Sequence, residues 1–206
     1  MGIDPSIAAT GFAVIRDGHL VRAGRISTSP SQPEPARLAE IRYHLLQVMR
    51  QEGVTEVAVE DFRAFYRWRR FPHSSELLTL FGHPTRRKNQ RYSGEVNPRD
   101  IFIMKAAQTT AQLTALEHGA KLFLYSLREW KGDHRRSKEA TLTDIRLLYG
   151  LEISDDNIAD AIMIAHHHLT FGHLTPDKGV DPQALPGYGY VDEPAAPRTS
   201  AKKVKP

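Results

Sequence analysis

Apolar and polar positions change quickly along the first part of the chain and settle into helical spacing later. Gly2-Ile3 is a short apolar run that ends on Asp4, and Phe12 to Ile15 is a second. Both read as strands. Asp17-Gly18 is a hairpin signal, which turns the chain into a third strand over Leu20 to Ser27, antiparallel to the second. Residues 28–35, rich in Ser and Pro, read as a loop. Over residues 36–52 the positions Leu38, Ile41, Leu45, Val48 and Met49 share one helical face, and Gly53 stops the helix. Val54 to Glu60 is a fourth strand, with Val57 and Val59 on one face and Ala58 and Glu60 on the other.

Helical spacing returns after residue 97. Asn97 is a good cap and Pro98 suits a first helical position. The helix predicted from there to about His118 carries Ile101, Met104, Ala107, Ala111 and Ala115 on one side, small enough to pack closely against a sheet or a second subunit. Lys121 to Tyr125 reads as a fifth strand and residues 128–137 as a polar, basic loop. Lys138 to Tyr149 reads as a helix stopped by Gly150, and residues 155–170 as a last helix, apolar almost all round after Asp160. The order predicts an α/β fold: a three-strand antiparallel meander joined to parallel strands in a mixed five-stranded sheet, with helices on both faces. In such a sheet, sites form at the ends of adjacent strands. Asp4 and Glu60, ending strands one and four, would then approach one another.

The 206 residues suit one domain. The absence of cysteine excludes disulfides and thiolate metal sites and fits a reducing cytoplasm. No apolar run approaches the length of a membrane span, and no export leader is expected. The first strand has so little sequence before Asp4 that either a few residues are missing from its start or the strand is clipped. The net charge of +4 is modest but unevenly spread. Residues 62–91 hold Arg63, Arg67, Arg69, Arg70, Arg86, Arg87, Lys88 and Arg91 against one acid, Glu76, with Phe62, Phe65, Tyr66 and Trp68 interleaved. A plain reading makes this a solvated charged loop. The richer one is a DNA surface, in which cations meet phosphates and rings stack on unpaired bases. Lys131 adds to the same expected surface. After Phe171 the composition turns to Pro, Gly and Lys, so residues 173–206 are expected to form a mobile tail.

The candidate chemistry is carboxylate chemistry. Asp4, Glu60 and Asp160 would, if brought together, offer hard oxygen donors to a divalent cation. Each has an ordinary alternative. Asp4-Pro5 is a common turn start, and Glu60 can be the solvated end of a strand. Asp155, Asp156 and Asn157 suit the first turn of a helix, where they cap free N–H groups and meet the positive end of the dipole. Asn157 and Asp156 each lie one helical turn before Asp160, so either could share a metal with it. His166, His167 and His168 look like a metal tract, but a helix C-terminus favours His on its own account.

The combination is more specific than its parts. Gly2-Ile3-Asp4-Pro5 with Thr10-Gly11 downstream, a Val-Glu strand end at Glu60, and Asn157-Ile158-Ala159-Asp160-Ala161 occur in an order and spacing that resembles the RuvC family of Holliday-junction resolvases, within the RNase H-like superfamily. The resemblance covers about residues 2 to 169. It implies an RNase H-like nuclease domain over residues 1–172, with residues 62–97 as a basic aromatic insert longer than the family's usual loop. It matches Asp4 to the family's first-strand Asp, Glu60 to its fourth-strand Glu and Asp160 to the second acid of its last-helix motif. Asn157 stands where the family has Asp or His, which leaves the fourth ligand open between Asn157 and Asp156. Ser6 stands where the family has Gly. Lys138 resembles a basic residue that faces the scissile phosphate, and Phe62 and Phe65 lie where the family carries an aromatic that probes the junction centre.

Carried over, the resemblance implies a junction endonuclease using two Mg²⁺ ions, replaceable by Mn²⁺, with Asp4 bridging both and Glu60 and Asp160 each holding one. It implies a homodimer on branched DNA, for which the helix over residues 98–118 is the expected interface, and says nothing of a helicase partner. The long insert suggests a phage or mobile-element version. Two readings compete within the same fold: a non-catalytic branched-DNA-binding relative, suggested by Asn157, and an RNase H-like nuclease acting on other branched or hybrid substrates. An ATP-binding protein of the actin type needs two such domains, which this chain is too short to supply.

Overall fold

The computed structural model describes residues 1–62, 98–132, 137–175 and 179–185. They form strands β1 (Gly2–Asp4), β2 (Ala9–Arg16), β3 (His19–Ser27), β4 (Glu56–Glu60) and β5 (Lys121–Tyr125), and helices α1 (Glu34–Glu52), α2 (Pro98–His118), α3 (Leu127–Lys131), α4 (Lys138–Tyr149) and α5 (Asp156–Phe171). The strands make one five-stranded sheet in the order β3-β2-β1-β4-β5. β1, β2 and β3 are the antiparallel meander, while β4 lies parallel to β1 and β5 parallel to β4. The expected fold class is therefore the observed one.

Side-chain alternation assigns the two faces. Ile3, Phe12, Val57 and Val59 are buried with α1 and α2 on one face. Ala13, Ala58, Phe123 and Tyr125 are buried on the other with Ile145 of α4, Trp130 of α3 and the apolar side of α5. Because strand residues alternate, Asp4 lies on the opposite face from Ile3, and Glu60 lies on the same face as Ala58. Both acids belong to the α5 side.

The last helix can lie on this face because the sheet has no side chains beneath it at two points. A Cβ placed on Gly11 would sit 1.9 Å from the backbone oxygen of Asn157, and one on Gly2 would sit 2.3 Å from the backbone oxygen of Ala161. Ala161 and Ala165, both buried, complete the close crossing. The helix start is fixed separately. The Asp155 side chain accepts hydrogen bonds from the backbone N–H groups of Asn157 and Ile158, and Arg25 of β3 donates to Asp155 at 2.5 Å.

Several boundaries differ from the periodicity. β2 starts at Ala9 rather than Phe12, because Ala9-Thr10-Gly11 pairs with β3 as far as Ser27 despite lacking an apolar signal. Thr10 is fully buried, and its hydroxyl donates to the Ser6 carbonyl at 2.6 Å, closing the connection from β1. β4 begins at Glu56 rather than Val54. The basic stretch expected as a loop over residues 128–137 opens as helix α3, because Ser126 and Glu129 form a capping box. The alanine side of α2 is not free for a second subunit: Ala107, Ala111 and Ala115 are buried within this chain, and the helix packs along α1. Folding also continues beyond residue 172. Val180 pairs with Leu122 at the edge of β5 through two backbone hydrogen bonds of 2.9 and 2.7 Å, and a short 3-10 turn follows at Pro182–Ala184. No helix among the described residues is long and apolar enough to cross a membrane.

Candidate active site

The parallel ladder between β1 and β4 pairs Gly2 with Ala58 and Ile3 with Val59, so the next rung sets Asp4 beside Glu60. Across the antiparallel ladder Asp4 pairs with Gly11, the residue directly under Asn157 of α5. Asp160, one turn further along α5, completes a group of three acids whose charges act on one another. Burial, then repulsion from Asp160, pushes the Asp4 carboxyl up to about 7. Glu60 is only 5% exposed; burial, then repulsion from Asp4 and Asp160, pushes it up to about 8. Asp160 is raised by burial too, but a cation opposes the shift. That cation is Lys131, whose ammonium lies 3.1 Å from both carboxylate oxygens of Asp160 and 4.9 Å from the centre of the Trp130 ring.

Three acids, Glu60 buried and Asp4 and Asp160 half-buried, share one ammonium and are short of positive charge, in keeping with the upward direction of their carboxyl shifts. All the donors are hard oxygens, the set that suits Mg²⁺ or Mn²⁺. Among the described residues no three acid or imidazole side chains are gathered closely enough to hold a metal ion as they stand. In donor chemistry, rather than in their present arrangement, these residues fit the metal that the family resemblance implies.

The other expected site residues are placed less uniformly. Asn157 is half-buried at the start of α5, with its amide nitrogen 3.5 Å from Asp155. Asp156 is exposed and bound by the Lys138 ammonium at 2.7 Å, so these two candidates answer each other rather than Asp4. They line a cavity of about 100 Å³ together with Lys131 and Asp160, which keeps Lys138 beside the acids but not in contact with them. Lys131, expected on the DNA surface, is held instead by Asp160. Phe62, expected to face DNA, is buried. Arg63, Phe65, Arg67, Arg69, Arg70, Arg86, Arg87 and Lys88 lie outside the described residues. Asp61, next to Glu60, is turned to the α2 side, where its carboxylate accepts from Gln108 at 3.1 Å.

The histidine tract lies at the far end of α5, and its structural reading holds there. The His168 ring nitrogens meet the Tyr125 hydroxyl at 2.8 Å and a Glu56 carboxylate oxygen at 3.0 Å. His166 meets the Tyr149 hydroxyl at 2.9 Å, and the His167 ring packs against those of Tyr125 and Phe171. Sequence reasoning missed the Lys131–Asp160 contact and the Arg25 clamp on Asp155. The Ser126-x-x-Glu129 spacing was the signal for the first, since it marks a helix that carries Lys131 toward α5. No local signal announces the second.

No family model matches the chain. The chain is 30% identical over 188 residues to a protein of Dehalococcoides mccartyi named crossover junction endodeoxyribonuclease RuvC, covering 85% of this chain and 96% of that one. A protein of the same name from Gluconobacter oxydans is 30% identical over 187 residues, covering 86% and 96%. Among solved structures, T. thermophilus RuvC in complex with Holliday junction substrate superposes with a TM-score of 0.63 at 21% identity, covering 87% of this chain and 97% of that one. Another Thermus thermophilus RuvC structure gives 0.57 at 19% identity, with the same coverage. At those identities the structures speak to the fold.

Proposed function

The chain belongs to the RuvC family of crossover junction endodeoxyribonucleases, and on that premise we propose that it resolves four-way DNA junctions by hydrolysing phosphodiester bonds. The observation that carries the reading is the approach of Asp4, Glu60 and Asp160 at one sheet edge with carboxyl groups raised by burial and mutual repulsion. Perturbed acids at the ends of adjacent parallel strands mark a functional site.

In this reading Asp4, Glu60 and Asp160 hold two Mg²⁺ ions, with Mn²⁺ as a substitute, and the Asn157 amide oxygen supplies the fourth ligand. The pairing of Asp156 with Lys138 favours Asn157 for that place. When bound, the ions would serve to activate a water and to stabilise the leaving oxygen of an in-line displacement. Lys138 stands beside the scissile phosphate, with its ammonium held by Asp156. The basic aromatic insert of residues 62–97 forms the DNA surface, a reading supported by its charge pattern. The working form is a cytoplasmic homodimer of two-fold symmetry, which presents two sites to two opposed strands. Phe102 and Leu113, 73% and 61% exposed on α2, support an interface on the outer side of that helix instead of its alanine side.

The test is cleavage of a synthetic four-way junction, a linear duplex and an RNA–DNA hybrid in Mg²⁺ by wild type, Asp4→Asn and Glu60→Gln. Only the wild type should cut, only the junction should be cut, and both variants should still bind it. Junction binding without cutting by any of the three would make this a binding protein, the role Asn157 would favour. Cutting of the hybrid alone would make it a ribonuclease.

A further inference from the structure

Lys131 is not placed as a surface cation. Its side chain is only 18% exposed, its ammonium touches both oxygens of Asp160, and the centre of the Trp130 ring lies 4.9 Å from that ammonium. It is carried by a five-residue helix whose start is fixed by the Ser126–Glu129 capping box. Its charge also acts on Asp4 and Glu60, as the opposing influence on both. A divalent cation bound to Asp160 through either oxygen would meet this ammonium at close range. The ion and the ammonium would compete for the same two oxygens and repel each other.

We propose that Lys131 is the resident counter-ion of the metal-free site: it holds Asp160 in place and yields it when a divalent cation binds. This rests on the reading of the acid cluster as a metal site. Lys131 is then a positioning residue, which keeps one buried and two half-buried acids compatible with the folded chain until the ion arrives. Its presence weakens the binding of the ion, because the ion must displace it. Trp130 reports the exchange, since the departing ammonium leaves its ring.

The experiment uses the full chain without DNA, with Trp68→Phe so that Trp130 is the remaining tryptophan of two. Mg²⁺ is titrated at a mildly alkaline pH, following Trp130 emission and the thermal melting point. In the parent protein, Mg²⁺ should change the emission and raise the melting point. Lys131→Met should melt lower in EDTA, gain more from Mg²⁺, and show an apparent affinity about tenfold higher. It should show no emission change as it binds. Lys131→Arg keeps the charge and should stay near the parent. A lysine that only supports the fold would lower the melting point without tightening the ion. Lys131→Met with unchanged or weaker affinity, beside an Mg²⁺ response that Asp4→Asn abolishes, would overturn the role of Lys131 and leave the metal site standing. No Mg²⁺ response in parent or variant would overturn both.

Discussion

The two ends of α5 bury titratable side chains against the same sheet and treat them in opposite ways. At the C-terminal end of the helix, the His168 ring has a partner for each nitrogen, Tyr125 on one side and Glu56 on the other. At the N-terminal end, Asp4 and Glu60 face each other and Asp160, and the positive charge that reaches them comes from Lys131. A buried polar cluster whose members satisfy one another stabilises a fold. A buried cluster of one charge sign lowers stability and persists where something else is to be bound. The helix is thus anchored at one end so that its other end can hold acids in an unfavourable position.

The largest effect should come from disturbing what both ends share, the close crossing of α5 over the sheet. Gly11→Ala puts a methyl group against the Asn157 backbone, which cannot yield as a flexible side chain would. It should destabilise the protein by about 1–3 kcal/mol through overpacking. Junction cutting should be lost, because the residue displaced precedes Asp160 by one turn. Denaturant unfolding and the cleavage assay check both. Normal cutting in a folded Gly11→Ala protein would show that the site does not depend on the crossing.

The next effect separates the ends by sign. His168→Ala leaves the buried Tyr125 hydroxyl without its imidazole partner and should lower stability by about 1–3 kcal/mol. Glu60→Gln relieves repulsion at the other end once the carboxyl is ionised, so it should raise the melting point of the metal-free protein at alkaline pH, above the raised value of about 8. Chelator-treated melts compare the two, and a loss of stability in Glu60→Gln would mean that its charge is compensated after all.

The smallest effect is on pH dependence, and again the ends differ. Carboxyls raised to about 7 and 8 hold protons that the unfolded chain releases near 3.8 and 4.5, so their burial costs stability as pH rises from about 4 to 8. His168 is lowered by burial, so its contribution is lost in the other direction, as pH falls below 6.5. In EDTA the melting point should therefore decline by a few degrees between neutral pH and pH 8. Mg²⁺ should remove the decline, as should Asp4→Asn combined with Glu60→Gln. A decline that persists in that double variant would trace to other groups.

Much of this was legible before any coordinates. Alternation in Val57-Ala58-Val59-Glu60 placed Glu60 on the face opposite the valines, and the order of strands and helices placed Asp4 beside it. The oxygen donors were visible as residue types at plausible element ends. Such features are relations among neighbours within one element, and local spacing records them. Other features depend on which surfaces meet. Of the acids that open α5, Asp155 is taken by Arg25, Asp156 by Lys138 and Asp160 by Lys131, although helical spacing treats them as near equivalents. The alanine side of α2 suited a sheet or a second subunit equally well until it was seen packed inside its own chain. Gly2 and Gly11 could be read as permissive turn residues, but only the approach of a helix more than 140 positions away shows why a side chain has no room there. Periodicity determines which way a residue faces on its own helix or strand. What it faces is decided by packing between distant segments, where volume and charge must match at once.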